Sequence, residues 1–326
     1  MCTAISDNSG IFLFGRTLDL ERSYDERVIL TPRKKSLDFL HVSPTVEHLA
    51  MLGIGIVFEN MPLYFDAINE SGLGVAALNF PRSAVYRDIL PSACNLASFE
   101  VIPYILAHCN SISSAKEVLN EVNITKESVS GTLPTSPLHW IISDKDGSAV
   151  LESTAEGVRI YDDPLGVLTN EPPFPYHLSN VTSFAALSSA PPYNKLAPSV
   201  ELSPHSRGAG AFGLPGDYSS PSRFVRAVFM KNHADRAESK DEAISRFFHV
   251  MDTLAVPKGA IKTDEGASVY TVYTSCGDPE SMTYYFTTYS SRRIRTFSPS
   301  AEKIISDQII SLPIDETEHF CEHYNS

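Results

Sequence analysis

The chain has 326 residues, with 39 acidic residues against 26 Lys and Arg, which gives a formal net charge of −13. Proteins that bind nucleic acid usually carry a basic face, so this balance argues against a nucleic-acid partner. No apolar run approaches the roughly 20 residues that a membrane helix needs, so we expect no membrane partner. With 43% hydrophobic and 20% charged residues, the composition is typical of a soluble globular protein.

Cysteine usage indicates the compartment and argues against a metal site. The chain has five cysteines: Cys2, Cys94, Cys109, Cys276 and Cys321. Their odd number and irregular spacing, without a C-x-x-C motif, predict neither a disulfide framework nor a Cys-based zinc site. His319, Cys321 and His323 lie within the last eight residues, where we expect frayed chain rather than a catalytic zinc. We therefore expect no metal site.

We expect no secretory signal at the N-terminus. Asp7, Asn8 and Ser9 interrupt the first apolar residues early, and no basic segment precedes them. Together with the cysteine pattern, this predicts a reducing, cytoplasmic location.

The first third of the chain reads as β-strands. Apolar, β-branched runs at 11–14 (continuing into 15–19), 28–30, 51–58, 63–69 and 74–78 predict strands, and Glu70-Ser71-Gly72 predicts a hairpin turn between the last two. Helices follow, the first over about 98–109. In the second, Ser114 and Glu117 read as a capping box ahead of apolar residues at helical spacing: Ala115, Val118, Leu119 and Val122.

Strands return at 138–143, 149–153 and 158–161, and Asp146-Gly147 marks a turn between the first two. Residues 172–222 are rich in Pro, Ser and Gly and predict a long irregular segment. Ser220 then reads as an N-cap with Pro221 as the first helical residue. A further helix at about 241–253 and strands at 268–275, 282–288 and 294–297 complete the pattern.

Strands and helices alternate in blocks rather than one by one. This pattern favours an α+β fold, with two packed antiparallel sheets and helices outside, over a doubly wound parallel sheet. Since there is no internal repeat and no clear linker, we expect residues 1–326 to form one domain.

The N-terminus combines a nucleophile with a base. If Met1 is removed, Cys2 carries a thiol and a free α-amine on one residue. The amine has a pKa of about 7.7–8.0 and is well placed to take a proton from a thiol whose pKa is about 8.5. A Cys at position 2 is also compatible with chance, so the neighbouring residues decide.

Three charged residues support a catalytic role for Cys2. Arg16 and Asp19 end an otherwise apolar strand, where Asp19 would hold the ammonium form of the amine and Arg16 would favour the thiolate. The alternative is an Arg–Asp pair on the surface, which would contribute little to the stability of the fold. Arg223 falls in the first turn of a helix, where the macrodipole disfavours a cation, so it is either a functional residue or a solvated one.

The sequence resembles the choloylglycine hydrolase family, which comprises the bile salt hydrolases and the related penicillin V acylases. The matching stretches occur in the family's order and extend from the N-terminus to about residue 290. They are Met1-Cys2-Thr3, 14–19, 69–74, 78–81, 138–140, 168–170, 213–217 and 222–224. The resemblance implies a four-layer αββα N-terminal-nucleophile fold whose mature chain begins at Cys2.

The resemblance also implies catalytic roles. Cys2 would be the nucleophile, with its own amine as base, and Asp19 and Arg16 would order and polarise it. The Asn170 side chain and the Asn79 backbone N–H would form an oxyanion hole, and Arg223 would complete the polar network. Such donors suit the oxyanion that develops when a thiolate attacks an amide carbonyl.

Asn79 favours bile salt hydrolases within the family, because penicillin V acylases typically have Tyr at this position. The family's apolar wall around the sterol corresponds to Leu18, Phe58, Val129, Leu133 and Leu138. Leu18 and Leu138 lie on predicted strands and are equally compatible with ordinary core. Arg207, in the irregular segment, corresponds to a loop that borders a neighbouring subunit's site, and it favours glycine over taurine conjugates.

The resemblance therefore implies an enzyme that cleaves glycine- or taurine-conjugated bile acids through a thioester on Cys2, without a cofactor, and that assembles as a homotetramer. Two alternatives remain. One is a penicillin V acylase or another lipophilic N-acyl amidase with the same catalytic residues. The other is a relative that binds bile acids without cleaving them.

Overall fold

A computed structural model describes residues 1–131, 134–314 and 317. Leu133 of the expected steroid wall and the His319, Cys321 and His323 group lie outside the described residues. In chain order the strands are β1 (Cys2–Asp7), β2 (Leu13–Leu20), β3 (Arg27–Thr31), β4 (Met51–Phe58), β5 (Met61–Asn69), β6 (Gly74–Asn79), β7 (Cys94–Ala97), β8 (Val122–Thr125), β9 (Leu138–Asp144), β10 (Gly147–Thr154), β11 (Gly157–Asp162), β12 (Val167–Leu168), β13 (Ile261–Lys262), β14 (Ser268–Asp278), β15 (Thr283–Thr288), β16 (Arg295–Phe297) and β17 (Ile310–Pro313). The α-helices are α1 (Val101–His108), α2 (Ile112–Leu119), α3 (Phe174–Val181), α4 (Ser220–His233), α5 (Lys240–Asp252) and α6 (Ala301–Ile304).

Most of the described strands belong to two antiparallel sheets. In the first sheet the strand order is β12-β1-β2-β14-β15-β16, and β13 pairs with β14. In the second sheet the order is β11-β10-β9-β6-β5-β4-β3-β17. A short parallel pair, β7 and β8, lies apart from both. The strands predicted from sequence lie in these sheets, with ends that differ by a few residues.

The two sheets stack, and helices cover both outer faces. Contacts of β1 and β2 with β6, and of β14 with β5, join the sheets, and a shared hydrophobic core fills the space between them. Helices α4 and α5 pack on the first sheet, and α1 and α2 pack on the second over a separate core. The layers therefore follow the αββα order, which confirms the predicted fold class.

Two helix starts differ from the sequence prediction. Helix α2 begins earlier than expected, because Ser111 rather than Ser114 is its N-cap and accepts a hydrogen bond from the N–H of Ser114. Its expected last apolar residue, Val122, lies in β8 instead. Helix α4 has Ser219 as its N-cap, which makes Ser220 the first and Pro221 the second helical residue.

The segment 172–222 is less irregular than predicted, since it contains α3 and short 3-10 helices at Thr182–Phe184 and Ala209–Ala211. The proline-rich start of the segment suggested loop. However, Pro173 is the N-cap of α3 and Pro175 lies in its first turn, where the missing N–H is tolerated.

Helix α3 is anchored next to the loop that follows β12. His177 is buried, stacks on Phe224 of α4 at 4.9 Å between ring centroids, and donates from Nε2 to the backbone O of Asn170 at 2.9 Å. Burial lowers the pKa of His177 to about 4, so the imidazole is neutral at pH 7. A neutral ring with its proton on Nε2 therefore fixes the carbonyl of Asn170.

Strand β2 packs against β14 so closely that residue 15 has room only for glycine. A Cβ added at Gly15 would lie 2.0 Å from the backbone O of Ser275. This close approach sets the position of the neighbouring Arg16, whose N–H donates to Ser275 Oγ at 3.1 Å.

We expect Gly15→Ala to lower the free energy of unfolding by about 1–3 kcal/mol or more, the usual cost of overpacking, because only backbone can move away from the new methyl group. Gly147→Ala is the matched control, since an added Cβ at Gly147 has nothing within 4 Å. We expect the control to stay within about 0.5 kcal/mol of wild type. Denaturant unfolding of the three proteins measures both effects, and equal stability of G15A and G147A would contradict the close approach.

The depressed pKa of His177 makes stability depend on pH. Below about pH 6.5 the unfolded chain binds a proton at this residue while the folded chain does not, so folded stability falls as the pH falls toward 4. Between pH 7 and pH 5 this loss amounts to about 2 kcal/mol. We expect His177→Gln, which retains an N–H donor for Asn170, to lose about 2 kcal/mol less than wild type over this range. Tyr176→Phe, in the same helix, is the control and should follow wild type in urea unfolding at the two pH values; parallel curves for H177Q and wild type would refute the buried neutral ring.

Candidate active site

Cys2 opens β1, which lies between the edge strand β12 and β2 in the first sheet, and it is 2% exposed. It pairs with Leu18 of β2, and its N–H donates to Oδ1 of Asn170 at 2.9 Å. Met1 continues the strand pairing, because its ammonium donates to the backbone O of Asp19 at 2.6 Å and its carbonyl accepts from the N–H of Asp19 at 3.0 Å. The predicted nucleophile therefore lies in a regular strand and is part of the hydrophobic core that the two sheets share.

Arg16 is buried at 1% exposure, which excludes the surface-pair alternative. Its Nη1 donates to the backbone O of Ala77 at 2.5 Å and of Phe65 at 3.2 Å, and so links β2 to the second sheet. Burial alone would lower the pKa of Arg16, but the surrounding groups raise it above its ordinary value, and Cys2 contributes most among them. A permanently charged guanidinium therefore lies within electrostatic reach of the thiol.

A buried carboxylate lies behind Arg16. Asp66 of β5 accepts hydrogen bonds from Tyr273 Oη at 2.5 Å, from Ser275 Oγ at 2.6 Å and from Tyr284 Oη. Burial raises the pKa of Asp66, while Arg16 and the three hydroxyl groups oppose the rise. This cluster joins the two sheets and compensates for burial of the guanidinium.

Asp19 is fully buried at 0% exposure. Its carboxylate accepts from Thr271 Oγ1 at 2.6 Å and from Thr17 Oγ1 at 3.1 Å. With Met1 in place, the contact between Asp19 and the N-terminal ammonium is made by the backbone carbonyl and not by the carboxylate.

Arg223 is also buried at 0% exposure, in the first turn of α4. Its Nη1 donates to the backbone O of Cys2 at 2.5 Å and to Thr3 Oγ1 at 2.6 Å, and its Nη2 donates to Oδ1 of Asn170 at 2.6 Å. Burial lowers the pKa of Arg223, and the charges of Asp19 and Cys2 oppose this. The solvated-arginine alternative is wrong, because the side chain points into the sheet and not into water.

Asn170 is held by each of its polar groups. Its Oδ1 accepts from Cys2 and Arg223, and its Nδ2 donates to the backbone O of Asn79 at 2.8 Å. Its backbone N–H donates to Ser220 Oγ at 2.8 Å, and its backbone O accepts from His177. Because an amide nitrogen carries two hydrogens, one N–H remains after the bond to Asn79.

Asn79 ends β6 with its backbone polar groups turned toward the site. The neighbouring Phe80 N–H donates to Pro137 O at 2.8 Å, so alternation along the strand turns the N–H and O of Asn79 away from β9. This is the side on which Asn170 reaches Asn79 O and Arg16 reaches Ala77 O. The Asn79 N–H and the Asn170 side chain therefore converge.

Two of the residues expected in the apolar wall adjoin Cys2 and Asn79. Leu18 pairs with Cys2 and is 5% exposed in the shared core, and Leu138 pairs with Asn79 and is partly exposed. Phe58, at the end of β4, and Val129, in a loop, are partly exposed. Arg207 is exposed in the segment before the 3-10 helix at Ala209–Ala211. No contact among the described residues ties Phe58, Val129 or Arg207 to Cys2.

Sequence reasoning missed several residues that hold the site: Asp66, Glu171, Ser220, His177 and the His139–Glu152 pair. His139 Nδ1 lies 3.1 Å from Glu152 Oε1, and its Nε2 donates to the backbone O of Thr169 at 3.0 Å. Two of these residues carried a signal, because Asp66 and Glu152 are carboxylates within apolar strands, where charges are rarely buried without a partner.

Within the described residues no group of three or more His, Cys, Asp or Glu is arranged to hold a metal ion. None of the described helices is long and apolar enough to cross a bilayer. The chemistry that the described side chains provide is a thiol near two buried guanidinium groups, with converging N–H donors beside it. This arrangement suits nucleophilic attack on a carbonyl carbon.

Comparisons with known proteins agree with this chemistry. Residues 2–317 match the family model described as linear amide C–N hydrolases, choloylglycine hydrolase family. A bile salt hydrolase/transferase of Lactiplantibacillus plantarum is 41% identical over 96% of this chain and 97% of its own. A bile salt hydrolase/transferase of Clostridium perfringens is 33% identical over 97% of this chain and 98% of its own.

Solved structures give the same result for the fold. The crystal structure of the C2A mutant of the conjugated bile acid hydrolase from Clostridium perfringens superposes with a TM-score of 0.89 at 31% identity and covers all of both chains. The penicillin V acylase of Agrobacterium tumefaciens has a TM-score of 0.74 at 20% identity, over 96% of this chain and 91% of its own, and so shares the fold. With its sheets, its N-terminal cysteine and its sequence matched over nearly the whole length, this chain belongs to the choloylglycine hydrolase family of linear amide C–N hydrolases.

Proposed function

We propose that this protein is a bile salt hydrolase that cleaves the amide bond of glycine- or taurine-conjugated bile acids. The observation that carries the proposal is the direct contact of the Cys2 backbone N–H with the same Asn170 Oδ1 that Arg223 holds, in a buried network at the start of β1. The names of the full-length relatives, bile salt hydrolase/transferase and conjugated bile acid hydrolase, support this substrate class.

The enzyme becomes active only after Met1 is removed. While Met1 is attached, the nitrogen of Cys2 is an amide and cannot accept a proton. Once it is free, the α-amine takes the thiol proton, and the thiolate attacks the carbonyl carbon of the substrate amide. Arg16 and Arg223 favour the thiolate electrostatically, and Asn170 Nδ2–H and Asn79 N–H stabilise the oxyanion.

The intermediate then collapses. The C–N bond breaks, the ammonium of Cys2 returns its proton to the leaving nitrogen, and glycine or taurine departs, leaving a bile acid thioester on Cys2. A water molecule attacks the thioester while the α-amine accepts one of its protons. The C–S bond breaks, the thiol is re-formed, and the free bile acid leaves.

The apolar side chains near the site support a sterol as the acyl group. Leu18 and Leu138 lie beside Cys2 and Asn79, and Phe58 and Val129 would extend this wall. An apolar wall with a few polar groups suits a rigid sterol. Arg207 would favour glycine conjugates from a neighbouring subunit.

We infer that the enzyme forms a homotetramer in the bacterial cytoplasm. The surface supports association, because large apolar side chains of the segment 193–212 are exposed: Tyr193 at 75%, Leu196 at 91% and Phe212 at 93%. Tyr193 and Leu196 line one surface depression together with Leu202, and exposed apolar side chains that cluster in this way commonly mark protein contacts.

The first prediction for the activity concerns the N-terminus. We expect purified protein to have lost Met1, to be alkylated once and rapidly by iodoacetamide at Cys2, and to lose glycocholate hydrolysis in parallel. Intact mass before and after alkylation, with amino acid release followed on the same sample, measures all three. Cys276→Ala is the control, because Cys276 is buried and burial raises the pKa of its thiol well above the ordinary value.

Retention of Met1 with undiminished glycocholate turnover would refute the N-terminal nucleophile. Faster turnover of phenoxymethylpenicillin than of glycocholate would favour the acylase alternative. Tight binding of glycocholate without release of glycine would favour a non-catalytic relative.

The second prediction separates the two oxyanion donors. We expect Asn170→Ala to lower kcat by about 10²–10³, because its donor is a side chain. Asn79→Ala retains the backbone N–H and should lower kcat by a much smaller factor. Steady-state hydrolysis of glycocholate measures both, and equal losses in the two variants would mean that the donor at residue 79 is not its backbone.

A further inference from the structure

Glu171 directly follows Asn170 and reaches back to the turn that follows Asn79. Its Oε1 accepts from the backbone N–H of Arg82 at 2.8 Å and of Ser83 at 2.9 Å. Its Oε2 accepts from Ser83 Oγ at 2.7 Å. Three hydrogen bonds from one partly buried carboxylate therefore fix the residues just beyond β6.

This contact is the second link between two segments that are already joined once. The Asn170 side chain binds the backbone O of Asn79, and Glu171 binds residues three and four positions further along the same turn. Because one link lies before Phe80 and the other after it, the turn cannot pivot about the first contact. The distance between the Asn170 amide and the Asn79 N–H is thereby fixed.

The Asn79 turn has its own anchor on the other side. Phe80 donates to Pro137 O at 2.8 Å and stacks on His139 at 4.3 Å between ring centroids. His139 in turn donates to Thr169 O, the residue before Asn170. Each residue of 169–171 therefore holds the Asn79 turn, Thr169 through His139 and the other two directly, and among the described residues Glu171 supplies the only carboxylate that bonds directly to this turn.

We propose that Glu171 is a positioning residue that sets the spacing of the two oxyanion donors. This inference rests on the proposed function, since it assigns both donors to the same oxyanion. Glu171 itself does not touch the reacting atoms. It acts as an acceptor, so its charge is not required for this role, and a glutamine oxygen can bind the same two N–H groups.

Two chemical reactions of Cys2 distinguish this role from a general structural one. Amide hydrolysis develops an oxyanion and needs both donors in place, whereas alkylation by iodoacetamide displaces iodide and develops none. We expect Glu171→Ala to lower kcat for glycocholate by about 10–10²-fold, with a smaller change in KM, because small misplacements of donors are costly. The rate of Cys2 alkylation should stay within about twofold of wild type, since the nucleophile and its neighbours are intact.

Glu171→Gln should restore kcat to near the wild-type value, and Ser83→Ala, which removes only the Oγ contact, should have a small effect. Unfolding free energies of all variants confirm that each is folded. An E171A enzyme with wild-type kcat would overturn the proposal, as would equal losses of hydrolysis and alkylation, or no recovery in E171Q. Failure of the proposed function would appear separately, as a wild-type enzyme that does not hydrolyse glycocholate.

Discussion

Burial of two guanidinium groups is the constraint on which the site depends. Arg16 and Arg223 lie on either side of the N-terminal strand, at 1% and 0% exposure. Isolated charges in such positions are very costly unless they are paired and hydrogen-bonded. The Asp66 cluster offsets the cost of burying the charge of Arg16. The guanidinium of Arg223 is instead hydrogen-bonded to the carbonyl of Cys2, to Thr3 and to Asn170. Their charge therefore remains close to the thiol without water to screen it, which is the condition for stabilising a thiolate.

The strand pairing of the N-terminus joins maturation to this charge arrangement. Met1 forms hydrogen bonds with both the backbone N–H and the backbone O of Asp19, the residue of β2 that follows the partner of Cys2. Removal of one residue leaves Cys2 in register opposite Leu18 and exposes both backbone groups of Asp19. The Cys2 nitrogen already contacts Asn170 Oδ1 at 2.9 Å. In the proposed mechanism, removal of Met1 would leave the free amine on an acceptor that is already in place, so processing would change the chemistry of the nitrogen rather than its position.

The sequence reveals the site where a residue conflicts with its local surroundings. Arg16 and Asp19 in an apolar strand, and Arg223 in the first turn of a helix, are such conflicts, and the structure buries all three. Glu171 and Ser220 do not conflict with their local surroundings, because a Glu before Pro is ordinary in a loop and a Ser is ordinary at a helix start. Their importance comes from contacts over 88 and 50 positions of sequence separation, which no local pattern reports. The same reason explains the missed helix α3, whose prolines indicate loop until packing on α4 stabilises the first turn.

In the proposed function, the chemistry and the substrate selection lie on different parts of the fold. Cys2, Arg16, Asp19 and Arg223 lie on paired strands or on a helix packed against them, and buried contacts hold all four in place. Phe58, Val129 and Arg207 lie at a strand end or in loops and are partly or fully exposed. Loops tolerate substitution and insertion far better than packed strands do. Changes in the acyl group or the amine that the enzyme accepts therefore require no change in the buried network. A penicillin V acylase and a conjugated bile acid hydrolase share the fold of this chain, as such a division would allow.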